Sequence, residues 1–286
     1  GGMAAATASV STPLLADAGL VHREASDGVV TILSVNIWCH HLTAPCWRGR
    51  SCKAPDALLP PFPFAPRAEL IAAAAARHGA DIVVVQELFL LRIGPFVLDG
   101  AFQAFAERMR ALGLAHATNP RESLPWLLGQ SSGLCMFSRW PLEGARAEAF
   151  ARSDEWLNAK GTVLASVAPR AGVRLALLGL HTDGRSRARG PQAVEAARRA
   201  AWALRPEGGA VEAPDAVVAV GDWNTAPQPL GNAEWAALTG VLADLAPATV
   251  AQACWSVAVQ DPPPPTHRGR TVDHAWLLCR AEGRDA

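Results

Sequence analysis

Residues 217–227 read VVAVGDWNTAP. An apolar run passes through Gly221 into a short acidic and polar turn. A run of this kind is a strand buried on both faces, as in a sheet covered by other layers. Its end presents an aspartate and an asparagine, Asp222 and Asn224, on either side of Trp223. Asp and Asn after a glycine also make an ordinary Asx turn, so the stretch needs the rest of the chain to be interpreted.

Other runs repeat the pattern. They are VVTILSVNIW (29–38), ADIVVVQE (80–87), SGLCMFS (132–138), GTVLASV (161–167), VRLALLGLH (173–181) and TVDHAWLLC (271–279). Each has strand length and β-branched or aliphatic content. Between them, 66–79, 102–114 and 191–205 carry apolar residues at helical spacing. The first of these starts after proline-rich sequence and ends in glycine, a good start and stop pair. Residues 54–66 and the PPPP tract at 262–265 are loops. The expected fold is α/β, with sheets packed inside helices.

Composition sets limits. The chain has 286 residues, 50% hydrophobic and 18% charged, enough for a sizeable core. We divide it into an N-terminal extension, 1–28, and one domain, 29–286. The formal net charge is zero, which gives no global attraction to nucleic acid or anionic membrane. The six cysteines form no CxxC pair, against a zinc ribbon or thioredoxin motif. Cys46 and Cys52 suit a disulfide within one loop, and reduced thiols are the equal alternative. The chain has no tyrosine, which excludes tyrosine nucleophiles and acids. No basic region precedes the mildly apolar start, so no secretory signal or membrane span is expected and a cytoplasmic location is favoured.

The chemistry lies at the strand ends: Asn36, Glu87, His181, Asp222, Asn224, and Asp273 with His274. Singly, each has an ordinary explanation. Asn36 suits a turn, Glu87 a helix N-terminus, and His181 a satisfied buried histidine. Jointly, one site is the simpler account. Asn36 and Glu87 are hard oxygen donors of the kind Mg²⁺ takes, with Mn²⁺ the alternative. His181 can bond a phosphate oxygen or move a proton. Asp222 can orient or deprotonate water, and Asn224 can donate to a phosphoryl oxygen. The set describes metal-assisted attack of water on a phosphoester.

VNIW, VVQE, GLCMFSRWPL, GLHT, GDWN and VDHAWL resemble, in order and spacing, the endonuclease/exonuclease/phosphatase superfamily of deoxyribonuclease-like metal-dependent phosphodiesterases. The resemblance runs from about Thr31 to Cys279. It implies a two-layer β-sandwich flanked by helices, with the site at one end of the sheets. It also implies that Glu87, helped by Asn36, holds the metal, that His181 and Asn224 contact the scissile phosphate, and that Asp222 acts on water. SGLCMFSRWPL and NAKGTVLAS (158–166) are similar to segments of the neutral sphingomyelinase branch. That places Lys160 near substrate. The arginines of TDGRSRAR (182–189), Arg185, Arg187 or Arg189, suit a phosphate or headgroup contact, a solvated loop being the ordinary reading there.

Two departures stand out. The family ends in a Ser-Asp-His segment, whereas TVDHAWLL is more similar to an earlier family element. The expected terminal segment, and with it the last strand, then lies beyond residue 286 or is lost, ahead of the reading in which Asp273 and His274 are the catalytic pair. Leu180 replaces a threonine of the sphingomyelinase-like pattern, which predicts one missing local hydrogen bond. The expected substrate is a phospholipid, with peripheral membrane contact through loop tips such as Trp38, Trp47, Phe62, Phe64 and Trp126. The alternatives are a nuclease, an inositol or nucleotide phosphatase, and a binding protein with an impaired site. The sequence does not give the oligomeric state.

Overall fold

A computed structural model describes residues 29–39, 64–154, 160–184, 186–204, 213–224, 240, 251–252 and 273–279. In chain order the elements are β1 (Ile32–Cys39), α1 (Phe64–Arg77), β2 (Ile82–Leu88), β3 (Leu91–Ile93), β4 (Phe96–Leu98), α2 (Gly100–Ala111), β5 (His116–Ala117), β6 (Leu128–Gln130), β7 (Cys135–Ser138), β8 (Glu143–Ala149), β9 (Gly161–Arg170), β10 (Val173–His181), α3 (Ser186–Ala203), β11 (Ala216–Asp222), β12 (Ala251–Gln252) and β13 (Asp273–Cys279).

Two main sheets form. One has the order β1-β2-β7-β5 and the other β12-β13-β11-β10-β9-β8; a small third sheet has the order β4-β3-β6. Strand periodicity explains how the two large sheets stack. In β2, Ile82 and Val84 pack with Met136, Val163, Ala165, Leu177 and Val220, which is the seam between the sheets. The alternate residues Val83 and Val85 pack outward under Ala68, Ala72 and Ala75 of α1 and Phe105 and Met109 of α2. In the second sheet Val217, Ala219 and Leu178 turn outward to Ala193, Ala196, Ala197 and Ala200 of α3. Both faces of each central strand are therefore apolar, which is why these runs show no polar alternation. The result is helix, sheet, sheet, helix: the α/β sandwich expected from the sequence.

Differences are local. α3 begins at Ser186, ahead of the expected start, with Pro191 inside it. Proline in the second turn removes one intrahelical bond without ending the helix. β8 was not anticipated: EGARAEA has the composition of a helix, yet it pairs with β9 at the sheet edge, where packing decides. The hairpin β3–β4 and its partner β6 were also missed. Cys135 is a buried free thiol, and burial pushes its pKa up, as expected of an inert core cysteine. Cys46, Cys52, Trp47, Phe62 and the PPPP tract lie outside the described residues. Among the described residues no helix is long and apolar enough to cross a membrane.

Candidate active site

Two parallel strand pairs bring the polar strand ends to one edge. In the first sheet β1 runs parallel to β2, with Asn36 opposite Gln86; the register then slips between Asn36 and Cys39. Such bulges commonly re-aim side chains beside active sites. Asn36 is thus inside a bulged strand, not in a turn. In the second sheet β10 runs parallel to β11, with His181 opposite Asp222. The sheets meet here: Asn36 Nδ2 donates to Asp222 Oδ2 at 3.2 Å, across the sandwich.

Glu87, the penultimate residue of β2, has a φ of 61°, a left-handed conformation that is uncommon for a side chain of this size. It lies in a strand, so a helix N-terminus does not explain it. Gly133, itself at a φ of 67°, lies against this residue: a Cβ there would come 2.9 Å from the Glu87 Cα and 2.8 Å from the Phe89 ring. The Leu88 N–H donates to the Gly133 carbonyl at 2.9 Å. Asn224 is the other non-glycine residue at positive φ among the described residues, 48°. Strain of this kind clusters at functional sites. Both cases fall on residues that the sequence places in the site.

The centre is His181, 1% exposed. Its Nε2 lies 3.5 Å from Glu87 Oε1 and 3.8 Å from Asp222 Oδ2. Lys160, also buried, places Nζ 3.2 Å from Nδ1 and 3.1 Å from Nε2 of the same ring. Asp222 Oδ1 accepts from the Asn224 N–H at 2.9 Å, and Asn224 Nδ2 donates to the Thr182 carbonyl at 2.8 Å. Burial raises the Asp222 pKa above the ordinary carboxylate value. Bonds from Asn224 and Asn36 oppose that rise, the Glu87 charge adds to it, and Lys160 opposes it.

Asn36, Glu87, Lys160, His181, Asp222 and Asn224 therefore share one cluster, buried at Glu87, Lys160, His181 and Asp222 and half-buried at the two asparagines. Arg185 lies outside the described residues. For Asp273 and His274 the backbone alone is described: β13 pairs antiparallel to β11 with Asp273 opposite Asp222 and His274 opposite Gly221, so the strand enters at the same edge.

Several supports escaped the sequence reading. The Thr182 hydroxyl donates to the Trp223 carbonyl, pinning the GDWN turn to the histidine strand. Leu180, by contrast, lies in the apolar core under α3, where a threonine hydroxyl would have to find its own partner. Asp183, in the loop read as solvated, is fully buried. Its Oδ2 accepts from the Asp154 N–H at 2.9 Å and its own N–H donates to Gln192 Oε1. Gln192 Nε2 in turn donates to the Arg152 carbonyl. One α3 glutamine thereby ties the His181 loop to the chain that leads to Lys160. Small polar residues of this kind carry no spacing signal. Gln192→Leu leaves the buried Asp183 N–H unpaired and takes a donor from the part-buried Arg152 carbonyl, and is expected to lower stability by about 1–3 kcal/mol for the buried group, read as a drop of several degrees in thermal midpoint.

The chain matches the sequence profile described as Endonuclease/Exonuclease/phosphatase family over residues 33–277. It belongs to that family. Similar solved structures include sphingomyelinase C from Streptomyces griseocarneus, with a TM-score of 0.60, 17% identity, and 90% of this chain and 86% of that one covered. A mutant beta toxin from Staphylococcus aureus with bound magnesium ions gives 0.57 at 15% identity, covering 86% and 82%. The human nocturnin catalytic domain with bound sulfate gives 0.53 at 16% identity, covering 87% and 82%. At these identities the likeness establishes the fold. No curated protein sequence matches the chain. The family is one of mostly hydrolytic, metal-dependent enzymes acting on phosphoesters.

The donor set fits a hard divalent cation. Glu87 offers a carboxylate. The Asn36 amide donates its N–H to Asp222 and carries an oxygen of the same hard class. Among the described residues no group of three or more His, Cys, Asp or Glu is arranged to hold a metal. One carboxylate and one amide suit Mg²⁺, which keeps most of its waters and completes its shell with substrate oxygens.

Proposed function

We propose that this chain hydrolyses a phosphodiester, and that the ester is a phospholipid headgroup of the sphingomyelin type. The observation that carries the reading is the placement of the Glu87 and Asp222 carboxylates on the same His181 nitrogen at the edge where the two sheets meet.

In this reading Glu87 and Asn36 hold Mg²⁺, with Mn²⁺ the alternative. When bound, the cation supplies positive charge for a phosphoryl oxygen and lowers the pKa of water. Asp222 accepts the proton of the attacking water as the new oxygen–phosphorus bond forms and the ester oxygen–phosphorus bond breaks. The folded arrangement suits that task. Burial makes the carboxylate more basic, and Asn36 and Asn224 fix its two oxygens. His181 donates to a phosphoryl oxygen, and the Lys160 ammonium beside it offsets charge that accumulates there. The second hydrogen of the Asn224 amide, the one not given to Thr182, serves the same phosphate. We assign Asp273 and His274 to the same edge as supporting groups on the backbone register alone, and Arg185 to the headgroup side by its place after His181.

The test is a substrate panel at varied Mg²⁺: sphingomyelin, plasmid DNA and inositol phosphates. Phosphocholine release from sphingomyelin is expected to dominate. Glu87→Gln is expected to raise the Mg²⁺ requirement at least about 100-fold, since even groups behind the ligands shift metal affinity 10–100-fold. An unchanged Mg²⁺ requirement would remove the metal assignment, and a preference for DNA or inositol phosphates would remove the lipid one.

A further inference from the structure

The small sheet β4-β3-β6 carries an exposed apolar surface that the catalytic cluster does not use. Its strands are cross-paired at one end as Ile93 with Phe96 and Ile93 with Leu128. Direct cross-strand partners share a face, so these three side chains lie together at the hairpin tip. Phe96 is 70% exposed and Trp126, just before β6, is 83% exposed; Ile93, Leu98, Leu127 and Leu128 are each about half exposed. At the other end of the same face Leu91 and Gln130 are buried. The hairpin is anchored at its base and apolar at its tip. Contiguous apolar surface of this kind marks an interaction site more often than an accident of the fold.

From this we infer that the β3–β4 tip, with Trp126–Leu128, docks the enzyme on a phospholipid surface. Three observations select lipid. The first is charge. Arg92 alternates with Leu91 and Ile93 and so faces the other side of the hairpin; its Nη1 donates to the Trp126 carbonyl at 3.3 Å, which brings the guanidinium beside that exposed tryptophan. The nearby Arg121 and Asp99 neutralise one another at 2.5 Å. A guanidinium beside the apolar tip, with no carboxylate partner among the described residues, complements a phosphate layer above hydrocarbon. The second is composition: tryptophan with leucine, isoleucine and phenylalanine suits the boundary between headgroups and acyl chains.

The third is position. Ile93 follows Glu87 by only a few residues, so the tip lies within about 20 Å of the metal-ligand candidate even if fully extended. The connection is also rigid, because the Leu90 N–H donates to Ser131 Oγ at 3.0 Å and the Ser131 N–H to the Leu90 carbonyl at 2.9 Å. One membrane surface can therefore touch the tip and present headgroups to the site. The biological sense of this inference rests on the phospholipid reading above, but its test does not.

The experiment measures binding and turnover separately. The full chain is sedimented with phosphatidylcholine vesicles without divalent metal, and hydrolysis is assayed on a water-soluble short-chain phosphocholine ester without vesicles. The chain is expected to bind the vesicles. Phe96→Ser with Trp126→Ser is expected to weaken that binding at least tenfold and leave turnover of the soluble ester unchanged. Trp126→Ser alone, at a side chain with little packing to lose, is expected to give an intermediate loss and guards against a misfolded double variant. Absence of vesicle binding by the parent, or equal binding by the variants, overturns the inference. So does a parent that is dimeric in solution and becomes monomeric in the double variant, since the tip is then a contact between copies. Failure of soluble-ester turnover in the parent counts against the catalytic reading and leaves the docking result standing.

Discussion

Replacing Asp222 by asparagine is expected to slow ester hydrolysis by about 10²–10⁴-fold while leaving the fold intact. The two halves of that expectation have different causes. Asparagine keeps an oxygen for the Asn224 N–H, but it cannot take a proton from water. On stability, burial holds the Asp222 pKa above the ordinary carboxylate value, so the native state binds this proton more tightly than the unfolded chain. Stability then falls as pH rises from the ordinary carboxylate value up through the raised native one. Above that window the ionised side chain is a net burden on folding, and asparagine removes it. Against this stands the contact with Asn36 Nδ2, where one donor would meet another, a loss of about 1 kcal/mol. The thermal midpoint above that window should therefore stay within a few degrees of the parent, or rise. A fall of ten degrees or more would make Asp222 a structural residue, and unchanged turnover would remove it from the chemistry.

The same aspartate shows what could be read in the sequence. Runs such as IVVVQ and VVAVG announce themselves because both sheet faces are covered, so no polar alternation interrupts them. A polar residue ending such a run is conspicuous, and Glu87, His181 and Asp222 were visible for that reason. Edge strands give no such contrast. β8 is half exposed and built of alanine, glutamate and arginine, and only its pairing with β9 makes it a strand. The hairpin β3–β4 has three residues on each side, too few to establish a period. Trp126 reads as a loop residue and lies exposed, whereas Trp38 of the same set falls in β1 and Phe64 in α1; the residues that join Trp126, Phe96 and Ile93, were hidden in that unrecognised hairpin. The second layer of the site was illegible for another reason. Thr182, Asp183 and Gln192 look like loop and helix-surface residues in sequence, and only the packing of α3 against β10 buries them.

Gly221→Ala is expected to be the most damaging single substitution for stability, at roughly 2–6 kcal/mol. The residue stands between the apolar run and Asp222, and the local geometry leaves no room for a side chain. Its φ is 150°, a conformation that L-residues rarely adopt, and a Cβ there would come 2.0 Å from the Leu180 carbonyl oxygen. That oxygen belongs to the backbone of the neighbouring strand, in register opposite Gly221, so it cannot swing aside as a side-chain tip would. Two effects add: backbone strain of about 1–3 kcal/mol and overpacking of a similar size.

Relief requires β10 and β11 to separate at the pair that carries His181 and Asp222. The damage should therefore reach the site even in molecules that remain folded. Denaturant unfolding should show a lower midpoint with an unchanged slope, and turnover at a temperature where the variant is still folded should fall at least tenfold. A variant with parental stability would mean that the strand ends tolerate a wider spacing, and the tight coupling of His181 to Asp222 through Gly221 would have to be given up.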